Sequence, residues 1–536
     1  MLACTAMVAC TNEDDVVNNE QAVAGKAENY MAVNLVMPEG VQGRATDANG
    51  YDEGTESEGT ISGAVFLFFD ANGNGCATPY YVAKNELTWS TAGVTTGQHK
   101  KATVLVIDND KQVPAYIAAI LNPVNGENHG YTIAKTLSDL RDDVDAYSTK
   151  GFVMTNSVYV GANGKEVCAT PVTLDNIFSD PDDAKAAPVT IPVERVVAKV
   201  TVTGLEDTTV EGKTVKGAAS SWTTTEKFAN ETDMNLKLVV TGWEVLQNKQ
   251  SKLFKEINTT WNLGWDWNVA SLQRSFWAAD YTTAGRTEYN VENMKSFAAK
   301  YVEETVSQTP NATAEANTNP YLLVRGYFAD KTTGDAVELV EWRGQKYTKE
   351  GYLNFIVGNS KVAQYHTATT TGEGDAAVTT YNSIAVDALE MQDQENDWQS
   401  MAVLTAEAKA ETYYTLTYKA DGTVDVATPV NLADVEAAVA QFGLVQYWNG
   451  GNTYYFTPIV HETVGEGENA QNYYAVIRNH MYNVTINGIE GFGTPVANPN
   501  QAIDKPEKPT DDKSYLAADV VVLKWKVVNQ SVTLGE

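Results

Sequence analysis

"DVVVLKWKVVNQ", residues 519 to 530, sets Val521, Leu523, Trp525 and Val527 on one face at the strand period of two, with Lys524 and Lys526 on the other. A segment patterned in this way is a strand that covers a core on one side. It follows "TPVANPNQAIDKPEKPTDDKS" (494–514), whose four prolines and lack of apolar periodicity read as an extended, semi-rigid spacer. A strand set apart by such a spacer need not complete the core nearest to it.

The rest of the chain is also written in strands. "YMAVNLVM" (30–37), "GAVFLFFD" (63–70), "ATVLVID" (102–108), "AYIAAILN" (115–122), "GFVMTNSVYV" (151–160), "VERVVAKVTV" (193–202), "LKLVVTGWEVL" (236–246), "YLLVRGYFA" (321–329) and "YNVTINGI" (482–489) are rich in Val, Ile, Tyr, Phe and Thr, with Gly, Asn and Asp between them. Helices are few. "NLADVEAAVAQFG" has Asn431 as N-cap, a stripe of Leu432, Val435, Val439 and Phe442, and Gly443 as a stop; 131–147 and 290–304 are weaker cases. The pattern predicts an all-β protein of antiparallel sandwiches with minor α insertions. The polar, proline-flanked "SDPDDAKAAPVTIP" (179–192) marks a boundary near residue 190. The expected units are an N-terminal domain (45–190), a C-terminal domain with insertions (191–494), the linker (495–514) and the terminal strand (515–536).

With 38 basic against 69 acidic residues the net charge is -31. Nucleic acid and anionic lipid are repelled by such a chain and are not its partners. At 43% hydrophobic it has ample material for large cores, and no run of about 18 apolar residues is long enough to span a membrane as a helix. "MLACTAMVACTNEDD" reads as the remnant (1–10) of a lipoprotein signal. Met7-Val8-Ala9-Cys10 resembles a lipobox with Cys10 as the lipidated residue, and the acidic stretch after it resembles an export tether. Cys76 and Cys168 are left as either a disulfide or two buried thiols.

No motif carries catalysis. The five histidines, at 99, 129, 366, 461 and 480, show neither metal spacing nor a nucleophile elbow, and no phosphate loop is present. The expectation is a non-enzyme with no catalytic residue, metal or cofactor. "DANGNG" places Asp70, Asn72, Asn74 and Gly75 like the first half of a calcium loop, but Tyr81 stands where the bidentate glutamate belongs, and a turn accounts for the same letters.

The two ends invite comparison. Near the N-terminus Met31, Val33, Leu35 and Met37 form a strand face, and Arg44 follows as a lone basic residue in a Gly/Asp/Asn/Glu setting open to a trypsin-like protease. Cutting between Arg44 and Ala45 would release 1–44 with its strand and open a groove. An alternating strand from another molecule would fill that groove, and head-to-tail donation builds a filament. Val521, Leu523, Trp525 and Val527, then Val532 and Leu534 after a change of phase, suit the donor. Terminal strands also commonly complete their own domains, and the residues alone leave both readings open.

These residues resemble the Mfa-type fimbrillins, shaft subunits of the type V pili of Bacteroidales. "VERVVAKVTV" (193–202) looks like the strand opening the family's C-terminal domain, "YLLVRGYF" (321–328) like a core strand, and "AVIRNHMYNVTINGIEGFGTP" (475–495) like its closing strand, with the Arg478-Asn479 to Tyr482 spacing most specific. The resemblance implies two transthyretin-like sandwiches, outer-membrane export as a lipoprotein through Cys10, cleavage after Arg44 by an arginine-specific protease, displacement of 30–37, and a C-terminal donor strand. The implied partners are further copies of the chain, anchor and tip pilins, and receptors on host or bacterial surfaces. The implied location is the surface fimbrium, with roles in adhesion and biofilm formation. Residues 205–320 and 330–440 match no family pattern. The competing reading is a monomeric surface lipoprotein that binds glycan or a host protein, with Trp261, Trp265 and Trp267 as a platform. Hydrolase stands third.

Overall fold

The computed structural model describes residues 29–38, 55–90, 98–107, 113–123, 151–156, 169–203, 205–210, 213–218, 234–247, 286–306, 318–394, 399–464, 470–503 and 515–523, with shorter pieces at 143–144, 147–148, 159–160, 166–167, 224–226, 228–229, 251–254 and 529–530. It is an all-β protein with minor helices, as the alternation predicts.

The first sheet has nine strands, in the order Gly75–Ala83, Gly63–Phe69, Tyr116–Leu121, Met154–Asn156, β3 (Val189–Arg195), β1 (Asn29–Pro38), β2 (Gln98–Ile107) and Thr88–Ser90, with Thr170–Pro171 beside Tyr116–Leu121. Residues from both ends of that order, Phe66, Val82 and Leu105 among them, share one buried cluster, so the sheet curls over a common core. Residues 179–192, read as marking the boundary near residue 190, hold a short helix, α1 (Pro181–Ala186). Its N-cap Asp180 accepts from the Asp182 amide at 2.8 Å, and Pro181 starts the first turn, where its missing N–H costs nothing.

The expected strand 193–202 is two strands in two sheets. Val193 to Arg195 end β3 in the first sheet, and β4 (Val197–Thr203) begins a second one. The chain crosses at Val196, so the division drawn after residue 190 passes through β3. The second sheet has the order Lys300–Glu303, β4, β9 (Met481–Glu490), β10 (Tyr515–Leu523) and Asn529–Gln530.

A seven-stranded sheet packs against it, built on Met234–Leu246, Tyr321–Asp330 and Asn452–Pro458. Within Met234–Leu246 the buried row runs Leu236, Leu238, Val240 and then Trp243, Val245, because a bulge between Val240 and Gly242 shifts the phase by one residue. The segment 290–304, weakly predicted as a helix, is a single turn at Val291–Asn293 followed by the strand Lys300–Glu303. The run 151–160 is likewise broken into Gly151–Phe152, Met154–Asn156 and Tyr159–Val160.

Residues 340–447, joined by Ala497, build a further core. It contains α2 (Leu432–Ala440), with Asn431 at the N-cap position, Val435 and Val439 buried, and Gly443 at φ 73° just beyond the last turn. Beside a five-stranded sheet stands a four-stranded one made of β5 (Tyr365–Thr371), β6 (Val378–Ser383), β7 (Tyr413–Tyr418) and β8 (Val424–Val430), in the order β6-β5-β7-β8.

Candidate assembly site

β1 lies inside the first sheet. It pairs in parallel with β3, Val33 opposite Val189 and Leu35 opposite Ile191, and antiparallel with β2 along its whole length, Asn29 opposite Ile107 through Pro38 opposite Gln98. Met31, Val33 and Leu35 are fully buried in the core. Met37 is the fourth of the row and falls in the same strand. Ala32 and Asn34, on the other face, are buried as well, and α1 lies against the strand. Tyr30 adds a two-way backbone bridge to Phe178, 2.7 Å and 2.9 Å. Taking β1 away would leave β2 and β3 each with an unpaired ladder, on either side of a core lacking three large side chains. Arg44, Ala45 and Cys10 lie outside the described residues.

The terminal strand docks on its own chain. β10 starts at Tyr515 and pairs antiparallel with β9, Val484 opposite Val520 and Met481 opposite Leu523. Among the described residues its outer side pairs with Asn529 and Gln530. The core residues of β9 are Tyr482, Val484 and Ile486, which stand opposite Val522, Val520 and Ala518. Val521 and Leu523 take the alternate register positions, opposite Asn483 and Met481. The row read from the sequence is therefore offset by one residue from the positions matching the core of β9, because Val520, Val521, Val522 and Leu523 form a continuous apolar run with no phase of its own. Trp525, Val527, Val532 and Leu534 lie outside the described residues.

The start of the expected spacer is packed. Thr494–Pro495 pairs with Asn452–Pro458, and Val496, Ala497 and Ile503 are buried, Ile503 bridged to Tyr289. Residues 504–514 lie outside the described residues.

The Arg478 to Tyr482 motif makes the corner that joins the sheets. Arg478 Nε donates to Glu304 Oε2 at 2.7 Å and its Nη1 to the Leu253 carbonyl at 3.1 Å. Asn479 adopts φ 58°, and its amide donates to the Val197 carbonyl at 2.7 Å just past the crossover. Tyr482 Oη accepts from the Ile477 amide at 2.8 Å and donates to His461 Nδ1 at 2.8 Å. Burial pushes the Tyr482 hydroxyl well above its ordinary pKa, so it stays protonated and keeps both roles. His480 Nδ1 donates to the Arg478 carbonyl at 2.8 Å. His461 and His480 are thus packed structural residues.

A second buried group, not singled out from the sequence, secures the same junction. Arg195 Nε donates to the Glu58 carbonyl at 2.9 Å, and Lys199 Nζ pairs with Glu58 Oε1 at 2.7 Å, with Tyr301 Oη donating to the same carboxylate. Burial works to raise the Glu58 pKa, but hydrogen bonds from Lys199, Tyr301 and the Thr55 amide, with the Lys199 charge, outweigh it and hold the carboxyl below its ordinary value. The available signal was a pair of adjacent charges, Glu194 and Arg195, inside an apolar run.

The Asp70 loop is a turn. Asp70 Oδ1 accepts from the amides of Asn72 at 2.8 Å and Asn74 at 2.9 Å, and Gly73 sits at φ 83°. Cys76 is a buried free thiol, its pKa pushed up to about 12 by burial and then by the Asp70 charge. Cys168, Trp261, Trp265 and Trp267 lie outside the described residues.

Residues 446–531, which carry β9, the Arg478 motif and β10, match the family model described as major fimbrial subunit protein type IV, fimbrillin, C-terminal. Over that stretch the chain is similar to a fimbrillin. The resemblance read from residues 475–495 is borne out, and it points to a structural, non-enzymatic protein, a pilus subunit that associates with other pilins at the cell surface. Among solved structures, a candidate cell adhesion protein of Parabacteroides distasonis is 12% identical, with 92% of this chain and 99% of that chain covered at a TM-score of 0.34. A fimbrial assembly protein of the same organism is 14% identical, with 66% and 96% covered at 0.28. A candidate cell adhesion protein of Bacteroides eggerthii is 10% identical, with 94% and 96% covered at 0.29. Likenesses this distant carry no argument about activity. No curated protein matches the chain.

Proposed function

We propose that the chain is a shaft subunit that is exported as a lipoprotein through Cys10, is cut after Arg44, loses β1, and receives in its place the C-terminal strand of the next copy. The supporting observation is the place of β1 between β2 and β3, with Met31, Val33 and Leu35 in the core. Its removal creates one deep groove lined by two free ladders, which a strand of matching alternation fills with backbone hydrogen bonds on both sides. Arg44 falls in the connection between Pro38 and Thr55, so the cut frees β1 at its C-terminal end.

The pairing of β10 supports its role as the strand that leaves. Among the described residues it has one full-length ladder, to β9, and eleven residues such as 504–514 can span at most roughly 35 Å at about 3.3 Å per residue. In the docked state it shields β9, and in the exchanged state it joins the first sheet of the next subunit. The domains proposed from the sequence then act as one receiving unit and one donating unit.

The test is arginine-specific digestion of the purified chain, with N-terminal sequencing and denaturing gels of unheated samples. Growth of a resistant ladder that starts at Ala45, and that is lost on deletion of 515–536, supports the reading. A stable monomer lacking 1–44 would sink it. Radiolabelled fatty-acid incorporation in cells, compared with Cys10→Ala, tests the anchor separately.

A further inference from the structure

Among the described residues the four-stranded sheet of the 339–448 region has two edges, and only one is defended. Edge strands invite pairing unless charge, proline or a bulge blocks them. β8 carries Asp425 and Pro429, and a register shift interrupts its pairing with β7 at Thr417/Tyr418. β6 reads Val-Thr-Thr-Tyr-Asn-Ser, with no charge, proline or glycine, and pairs with β5 in unbroken register from Thr371 opposite Val378 to His366 opposite Ser383. Val378 is 61% exposed. On a chain of net charge -31 this hairpin edge is neutral.

We propose that β6 is an association surface for a second copy of this chain, the two β6 strands pairing antiparallel about a two-fold axis at Thr380 or Tyr381. Three observations select this occupant. The chemistry of the strand is self-complementary, since Thr379, Thr380, Tyr381, Asn382 and Ser383 each carry both a hydrogen-bond donor and an acceptor. Neutrality lets two acidic molecules meet here without like charges face to face. Glu373 and Asp375 sit in the turn before β6, so an antiparallel arrangement sets the acidic turns of the two copies at opposite ends, whereas a parallel one would bring them together. A two-fold axis through the strand makes the contact isologous and closed, joining two four-stranded sheets into one.

The contact is small and the association of single subunits correspondingly weak. It is separate from strand exchange and does not depend on it. In filaments many such contacts would act together and bind one filament to another side by side.

The experiment is sedimentation velocity of the uncleaved full chain carrying Arg44→Ala, from low micromolar to several hundred micromolar, at two salt concentrations. The expected result is a monomer–dimer equilibrium that strengthens with salt, because screening weakens repulsion between two acidic molecules. Thr380→Lys and Asn382→Lys, at exposed positions, should shift it at least tenfold toward monomer with unchanged thermal melting, while Thr428→Lys on the β8 edge leaves it in place. A monomer throughout the range overturns the proposal. So does a dimer that tolerates both β6 lysines, since it would be held through another surface.

Discussion

Arg478 and Glu304 form an ion pair in which both side chains are fully buried, Nε to Oε2 at 2.7 Å. Arg478 also donates to the Leu253 carbonyl, which accepts from Thr155 Oγ1 at 2.9 Å, and Thr155 belongs to the first sheet. One guanidinium therefore ties the start of β9 to the edge of the neighbouring core. Arg478→Met should destabilise the chain by about 3–5 kcal/mol, because it strands a buried carboxylate, and Arg478→Met with Glu304→Leu should recover much of that loss. Urea unfolding of the uncleaved protein, read as a double-mutant cycle, checks both outcomes.

The Glu58 cluster sets an acid limit. Its carboxyl lies below the ordinary 4.5 in the folded chain. The stability it contributes is present above that value and is lost as pH falls through the lower folded pKa. Melting temperature should therefore decline below about pH 4.5, and Glu58→Gln should flatten the decline while lowering stability at pH 7. A Glu58→Gln profile parallel to wild type would show that other acids dominate.

Leu35→Ala truncates a fully buried side chain of β1. The expected cost is about 2–5 kcal/mol in the uncleaved protein. After cleavage the same change should speed release of 1–44, followed by mass spectrometry of the freed fragment, and with it the onset of assembly. Unchanged release would mean that another element holds the fragment.

The offset register of β10 predicts a separation of effects. Val520→Thr with Val522→Thr, at positions opposite Val484 and Tyr482, should destabilise the docked form and expose the β9 edge to hydrogen exchange. Val521→Thr with Leu523→Thr should disturb docking less and impair assembly more if the donated strand presents the row read from the sequence. Equal effects of the two pairs on both readouts would show that one register serves both states.

Strand character, the all-β class and α2 were legible in the chain itself, because a period of two or of 3.6 is a local property of side-chain direction. The terminal strands were legible too, as apolar segments beside polar, Gly- or Pro-rich sequence. Three features were decided only in three dimensions. The run 193–202 divides at Val196 because Arg195 and Asn479 meet across 284 residues of sequence, a partner choice no local pattern encodes. β1 belongs in mid-sheet because β2 and β3 come together around it from distant positions. The register of β10 is set by β9, since an apolar run with no alternation takes its phase from the strand it pairs with. Periodicity specifies which residues form a strand, and the long-range ladders and buried ion pairs specify where each strand goes.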